Sequence, residues 1–417
     1  MSEGGAAADL THIARRITFT LFVGQSLGSA GFLVASTVNA IVGAKLSGRP
    51  SWAGVPTATY QAGMALAALA WGRAMDRIGR RGALGGGLAC GVAGAAVVGS
   101  SVVVVSFPLM LLGMVLMGAA NSALQLGRYV AAEVHPPAER ARAISNVVIG
   151  GTVGAILGPL LVGPGGRTAQ RLGLDELAGP YGISSVLFAL ALVVVFAHLR
   201  PEPREIARAV AALHAGPSGG AAPARPLAEI LRRPATVVAI ASMVFAHAVM
   251  FMLMVITSLH MRVHHHPLSS IAGVISSHVF GMYAFSALSG RAADRFGRQP
   301  VIATGATILV AACLVAPLSP RVLPIGAALA LLGLGWNLCY VAGSALLSDQ
   351  LRPAERARVQ GLSDFLMGLS SATGSVGSGV VFAAAGYGAM GLVGAAVALI
   401  PLALSLRLRT SRPQPAF

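Results

Sequence analysis

Long apolar runs, separated by short stretches rich in arginine, glycine and proline, follow one another along the whole chain. A bilayer core takes about 20 helical residues to cross. Twelve runs approach that length: 17-43, 53-71, 83-104, 107-132, 143-163, 180-199, 236-260, 268-288, 300-317, 322-348, 358-385 and 388-406. The pattern predicts an all-α membrane protein of twelve transmembrane helices. Composition agrees, with 55% apolar and 11% charged residues among 417 and a mean hydropathy of +0.75, far beyond a soluble domain.

A net charge of +16 would ordinarily suggest a nucleic-acid partner. The placement of the charges changes that reading. Basic residues crowd alternate loops: Arg15 and Arg16, Arg73 to Arg81, Arg140 and Arg142, Arg200 to Arg233, Arg291 to Arg298, Arg352 to Arg358 and Arg407 to Arg412. The opposite loops hold only Lys45, Arg49, Arg167, Arg171, Arg262 and Arg321. This asymmetry is a topology signal, and it predicts both termini in the cytoplasm with no nucleic acid as partner. Met1 to Thr11 has no cleavable signal pattern, so the first crossing is expected to act as its own insertion signal. Cys90, Cys313 and Cys339 stand alone inside crossings, which predicts packing rather than a disulfide framework or zinc site.

The chain also repeats itself. Gly72-Arg73-Ala74-Met75-Asp76-Arg77-Ile78-Gly79-Arg80-Arg81 returns 218 residues later as Gly290-Arg291-Ala292-Ala293-Asp294-Arg295-Phe296-Gly297-Arg298. Pro137-Ala138-Glu139-Arg140-Ala141-Arg142 returns at 216 as Pro353-Ala354-Glu355-Arg356-Ala357-Arg358, and Asn121 and Asn337 share that offset. Two six-helix halves are predicted, 1-199 and 236-417, joined by a Gly- and Pro-rich cytoplasmic linker at 200-235 with one short surface helix. The duplicated loop resembles that of the major facilitator superfamily, and the resemblance spans the chain. It implies a cytoplasmic gate built from Gly72, Asp76, Arg77, Gly79 and Arg80 and from Gly290, Asp294, Arg295, Gly297 and Arg298, with transport by alternating access.

Candidate chemistry is concentrated on the seventh and eighth runs. Met250 and Met254, and His278 and Met282, are each four residues apart, so each pair shares a helical face. Both cross-pairs are centred on residue 266, in the turn His264-His265-His266-Pro267, so an antiparallel hairpin would bring the four to matching depth. Thioether sulfur and imidazole nitrogen favour a soft ion, and copper suits them better than magnesium, calcium or manganese. Met243, His247, Met250, Met254 and Met261 form one stripe, and six of the ten histidines lie between 247 and 278. Met243, His247, His260, Met261, His264, His265 and His266 are therefore candidates for a secondary metal path, although methionine at helical spacing is commonly packing and a loop histidine commonly solvated.

Paired M-x-x-x-M and H-x-x-x-M motifs resemble those of bacterial copper importers within the superfamily, which supply haem-copper cytochrome oxidase assembly. That resemblance implies Met250, Met254, His278 and Met282 as copper ligands, copper as transported substrate with no permanently bound cofactor, the bacterial inner membrane as location and a cytoplasmic copper chaperone as receiver. Relatives in the same group carry riboflavin and lack the motifs. Many proton-coupled members have an arginine midway along helix 4, where Met114 and Met117 stand here. Asp364 is the candidate coupling carboxylate, unless it marks the start of its helix. Gly154 to Pro159 matches part of an exporter motif and is explained equally by a Gly-Pro kink. The competing expectation is a carrier of a small organic solute or drug, its methionines forming an apolar wall. A metal receptor lacks a soluble domain, and no nucleophile motif, paired carboxylates or phosphate loop suggests an enzyme.

Overall fold

A computed structural model describes residues 3–136, 139–213 and 225–407. The duplicate's Pro137 and Ala138, the linker's Gly216 to Gly220 and the terminal Arg409 and Arg412 lie outside the described residues. The chain folds into two compact units, residues 1–217 with 266–276, and residues 218–265 with 277–417.

All described secondary structure is helical. The first unit contains α1 (Glu3–Ser36), α2 (Asn39–Ser47), α3 (Val55–Val103), α4 (Phe107–Glu133), α5 (Arg140–Leu157), α6 (Val162–Arg171), α7 (Ala178–His198) and α8 (Pro203–Leu213). The second contains α9 (Leu227–Leu231), α10 (Pro234–Val263), α12 (Ser286–Phe296), α13 (Arg298–Val315), α14 (Val322–Asp349) and α15 (Pro353–Arg407), while α11 (Leu268–Tyr283) begins in the stretch grouped with the first. Among the described residues, ten helical stretches are long and apolar enough to cross a bilayer. Twelve were expected from the apolar runs. The runs 53-71 and 83-104 join in α3, bent at Gly79, and 358-385 and 388-406 join in α15, bent at Gly386. Both glycines take positive φ, 83° and 76°, a backbone region that residues with a Cβ enter at a cost.

Three runs are interrupted where uniform helix was expected. The first breaks at Thr37-Val38 and the eighth at Ala284-Phe285, while the fifth passes through a 3-10 turn at Gly158–Leu161 containing the anticipated Gly-Pro kink. Among the described residues the linker region holds two short helices, α8 and α9, where one was expected.

Glycine sets how closely the helices pack. A Cβ on Gly154 would collide with the Ser26 carbonyl of α1, and one on Gly113 would come within 2.5 Å of Val98. Buried hydrophobic residues on α9, α10, α14 and α15, among them Ile230, Met243, Leu347 and Met367, form one core cluster of the second unit. Cys313 and Cys339 are fully buried packing residues there.

Arg225, just before α9, is fastened to the second unit through Glu355 in the first turn of α15. The guanidinium Nη2 lies 2.6 Å from Glu355 Oε2, the Arg225 backbone N–H donates to Oε1 at 2.9 Å, and Nη2 also donates to the Gln350 carbonyl at 2.8 Å. Hydrogen bonds from Arg225 hold the Glu355 carboxyl well below the ordinary carboxylate range. A depressed carboxylate contributes stability above its unfolded-state pKa and loses it only as pH falls through the lowered native value. The fastening therefore persists through neutral and mildly acidic pH. Glu355→Gln is expected to accelerate hydrogen exchange at the Arg225 amide, measured at pH 7 against wild type; unchanged exchange would show that the carboxylate is dispensable.

Candidate functional site

The strongest candidate set lies on α10 and α11. Met250 is 3% exposed, Met282 9% and His278 0%, while Met254 is half-buried. His278 Nδ1 lies 3.0 Å from the Leu329 carbonyl of α14. A carbonyl only accepts, so the ring proton sits on Nδ1 and the Nε2 lone pair is left available. Nε2 is buried with no hydrogen-bond partner. Buried polar atoms are nearly always partnered, and a histidine whose other nitrogen donates to a carbonyl is the usual arrangement of a metal ligand.

Two glycines bring the histidine to this position. A Cβ on Gly281 would meet the Ala330 carbonyl, and one on Gly333 would meet the His278 carbonyl and lie 2.8 Å from the Met282 backbone nitrogen. Both contacts require α11 and α14 to pack backbone to backbone. Just beyond Met282 the helix breaks, and Asn337 of α14 bonds the groups that the break leaves behind. Its Nδ2 donates to the Met282 carbonyl at 2.6 Å and to Ser286 Oγ at 2.8 Å, and its Oδ1 accepts from Ser289 Oγ at 2.6 Å.

The same arrangement recurs in the first unit with different chemistry. Gly158 packs on the Ala30 carbonyl as Gly374 packs on that of Ala248, which registers α1 on α10 at an offset of 218. That offset carries Phe32, Ser36, Tyr60 and Met64 onto Met250, Met254, His278 and Met282. Phe32 and Tyr60 stack with ring centroids 4.4 Å apart, and the buried Tyr60 hydroxyl has no partner. Gly118 meets the Tyr60 carbonyl as Gly333 meets that of His278. Asn121, in contrast, donates to Met64 Sδ at 3.3 Å instead of sealing a helix break. Three thioethers and an imidazole thus stand in one unit where the other has an aromatic pair, a hydroxyl and a single thioether. No group of three or more His, Cys, Asp or Glu gathers among the described residues.

The longer methionine and histidine stripe divides. Met243 Sδ accepts from Ser344, and His247 Nδ1 accepts from Trp336 Nε1 at 2.9 Å, which engages the lone pair that a metal would need. Met261 is fully buried. His264 and His265 are exposed and His266 is half-buried. Around His247 the structure assembles an aromatic cluster absent from the sequence reading. Trp336 stacks on Tyr340 at 4.9 Å, and Tyr283 meets Trp336 edge-on at 6.4 Å. The four-residue spacing of Trp336 and Tyr340 was its available signal.

The duplicated loops share geometry to the level of single bonds. Arg80 pairs with Asp76 at 3.3 Å and Glu133 at 3.1 Å; Arg298 pairs with Asp294 at 2.7 Å and Asp349 at 3.2 Å. Both arginines also donate to the carbonyl five residues back, at 3.0 Å to Met75 and 2.8 Å to Ala293. Gly79 and Gly297 supply the turn at φ 83° and 94°. Gly72 and Gly290 are half-buried, with open space where a Cβ would stand, so neither is held by a close approach. Arg77 and Arg295 are exposed. The pairing therefore runs through Arg80 and Arg298. Glu133 and Asp349, 216 residues apart, complete the two triads, and Glu202 adds a bond to the Arg80 backbone N–H at 2.6 Å. Asp364 is exposed and well inside α15, which begins at Pro353; its alternative role at a helix start is thereby overturned, and Glu355 holds that position.

The family model of the Major Facilitator Superfamily matches residues 18–276 and 239–417. This chain belongs to that superfamily. It is 34% identical over 388 residues to an uncharacterized MFS-type transporter, YdeG, of Bacillus subtilis, covering 93% of this chain and 90% of the relative. It is 32% identical over 397 residues to the riboflavin transporter RfnT of Brucella anthropi, covering 95% and 96%. Among solved structures, the nucleoside transporter NupG shares the fold with a TM-score of 0.69 at 15% identity, covering 94% of this chain and 97% of that one. A bacterial homologue of the human lysosomal transporter Spinster does so with a TM-score of 0.67 at 18% identity, covering 94% and 92%. The chain is thus a multi-pass membrane transporter. None of these names specifies copper, and the riboflavin transporter favours an organic solute.

Proposed function

We propose that this superfamily member imports copper across the bacterial inner membrane by alternating access, with Met250, Met254, His278 and Met282 as its carrying set. The observation that carries the reading is the His278 Nε2 lone pair, buried and unpartnered one helical turn from the Met282 thioether. The Phe32–Tyr60 stack in the first unit supports facing positions for Met250 and His278, since the 218-residue offset relates the two pairs. Thioethers bind copper softly enough to exchange it, as a carrier must. Twelve crossings with cytoplasmic termini, halves at 1-199 and 236-417 about a linker at 200-235, gating by the two arginine triads, coupling through Asp364 and delivery to a chaperone for cytochrome oxidase assembly complete this proposal.

A second reading has the better support from relatives. RfnT is named for riboflavin, and the cluster of Trp336, Tyr340, Tyr283 and His247 offers aromatic faces suited to a planar solute. We place copper first because cargo is decided by the groups at the site, and the riboflavin transporter's likeness, 32% over nearly the whole chain, is one of family. Uptake of labelled copper and labelled riboflavin in cells separates the two. Met254→Ala and His278→Ala, each reaching the membrane at wild-type abundance, are expected to lose copper uptake by about tenfold or more, since losing even an outer-shell partner of a metal ligand costs about that much. Wild-type copper uptake in both variants, with riboflavin accumulation intact, would establish the second reading.

A further inference from the structure

α4 carries a cation that neither arginine triad uses. Arg128 stands five residues before the end of the helix at Glu133, about 7.5 Å along its axis, in a stretch long and apolar enough to cross a bilayer. An arginine placed there is costly and ordinarily faces a polar cavity or a partner. Arg128 shares its side of the helix with Asn121, Gln125 and Tyr129, all within about 100° of one another. The exposed Leu112 and Val115 lie on a different side, so the polar surface is distinct from the apolar one that suits lipid.

The half-buried guanidinium has one edge open. Its Nη2 donates to Tyr129 Oη at 3.2 Å, and its carbon lies 5.0 Å from the centre of the Tyr129 ring. Nε is buried with no hydrogen-bond partner, and among the described residues no carboxylate pairs with this arginine. Nε and Nη2 together form a fork that matches the two oxygens of a carboxylate. Elsewhere in the chain that fork is filled. Arg80 offers Nε and Nη2 to Glu133 at 3.1 and 3.3 Å, and Arg225 offers the same atoms to Glu355 at 2.7 and 2.6 Å. Helix packing does not demand the charge at this position. The 216-residue offset that relates Asn121 to Asn337 and Glu133 to Asp349 carries Arg128 onto Ser344, a neutral hydroxyl that donates to Met243 Sδ.

We infer that Arg128 and Tyr129 form a recognition site in the first unit for the carboxylate group of a small organic anion. One carboxylate oxygen accepts from Nε–H and the other from Nη2–H, while the Tyr129 hydroxyl, which accepts from Nη2, still has its own proton to donate. A buried donor without a partner is costly, so an anion that pairs Nε is favoured over the open fork. The site is separate from Met250, Met254, His278 and Met282, neutral soft donors in the second unit that attract no anion.

The test uses the full-length protein in detergent, without copper, so that its outcome does not turn on the cargo of the carrying set. The thermal midpoint is followed as sodium acetate, succinate or benzoate replaces chloride at constant ionic strength. At least one carboxylate is expected to raise the midpoint saturably above the chloride control. Arg128→Lys keeps the charge but loses the fork, and it should weaken that binding by about tenfold or more. Arg128→Gln should abolish it, and Tyr129→Phe should weaken it less than Arg128→Lys does. Arg171→Gln, at the exposed end of α6, should leave it unchanged. Failure of all three carboxylates to stabilise wild type, or equal stabilisation of wild type and Arg128→Lys, would overturn the assignment. Stabilisation by phosphatidylglycerol alone would overturn it too, by giving the fork to a lipid phosphate.

Discussion

Valine at Gly333 is expected to destroy the packing of α11 on α14. A Cβ there falls on the His278 carbonyl and 2.8 Å from the Met282 nitrogen, both backbone atoms that cannot swing aside. Overpacking of this kind costs roughly 3 kcal/mol or more. The two helices must separate, which removes the Leu329 carbonyl from His278 Nδ1 and releases the imidazole from its tautomer. Gly118→Val should do equal harm in the first unit, where the Cβ meets the Tyr60 carbonyl. Gly377 of α15 has nothing within 4 Å of its Cβ position, so Gly377→Ala should be neutral or stabilising by up to about 1 kcal/mol through helix propensity. Yield of monodisperse protein and its thermal midpoint in detergent report all three. A Gly333→Val protein as stable as Gly377→Ala would show that the close approach is not required.

Asn337→Ala and Asn121→Ala should differ sharply although the residues occupy matching positions. Removing the Asn337 amide leaves the Met282 carbonyl, Ser286 Oγ and Ser289 Oγ short of a partner beside a helix break. With about 1 to 3 kcal/mol for each buried group left unsatisfied, a loss of roughly 3 kcal/mol is expected. Asn121 donates only to the Met64 sulfur, and α3 stays helical at residues 66 and 67, which match the break in the other unit, so its loss should cost under about 1 kcal/mol. Thermal unfolding of both variants checks this asymmetry. Equal losses would mean that the α11–α12 break is maintained by something other than Asn337. Because the break lies between Met282 and the loop of Asp294 and Arg298, copper uptake should fall in Asn337→Ala even at temperatures where the protein remains folded.

Much of this was legible in the sequence, for identifiable physical reasons. Apolar run length marks membrane-crossing helices because the bilayer sets a minimum, and duplicated glycine and arginine positions mark a turn that only glycine enters readily. The breaks at Thr37-Val38 and Ala284-Phe285 were not legible. Neither holds proline or glycine, and the second is stabilised by Asn337, distant in sequence and visible only once α14 is in place. Of the loop motif, Asp76 pairs with Arg80 and Asp294 with Arg298 while Arg77 and Arg295 stay exposed, and Glu133 and Asp349 join from outside the motif. Carboxylates at the far ends of α4 and α14 carry no local signal beyond their shared offset. Met243 and His247 looked equivalent to Met250 and Met254 by helical spacing, but spacing cannot tell that Ser344 and Trp336 occupy them. The copper set itself came from ligand chemistry, and what the structure adds is the bonded Nδ1 and bare Nε2 of His278.

The most direct test of the copper reading is transport by the purified full-length chain reconstituted in lipid vesicles, with labelled copper and labelled riboflavin offered separately to wild type and His278→Ala. Copper accumulation by wild type is expected, unaffected by excess unlabelled riboflavin and lost in His278→Ala. Riboflavin accumulation at equal rates by both proteins, with no copper uptake by either, would contradict it.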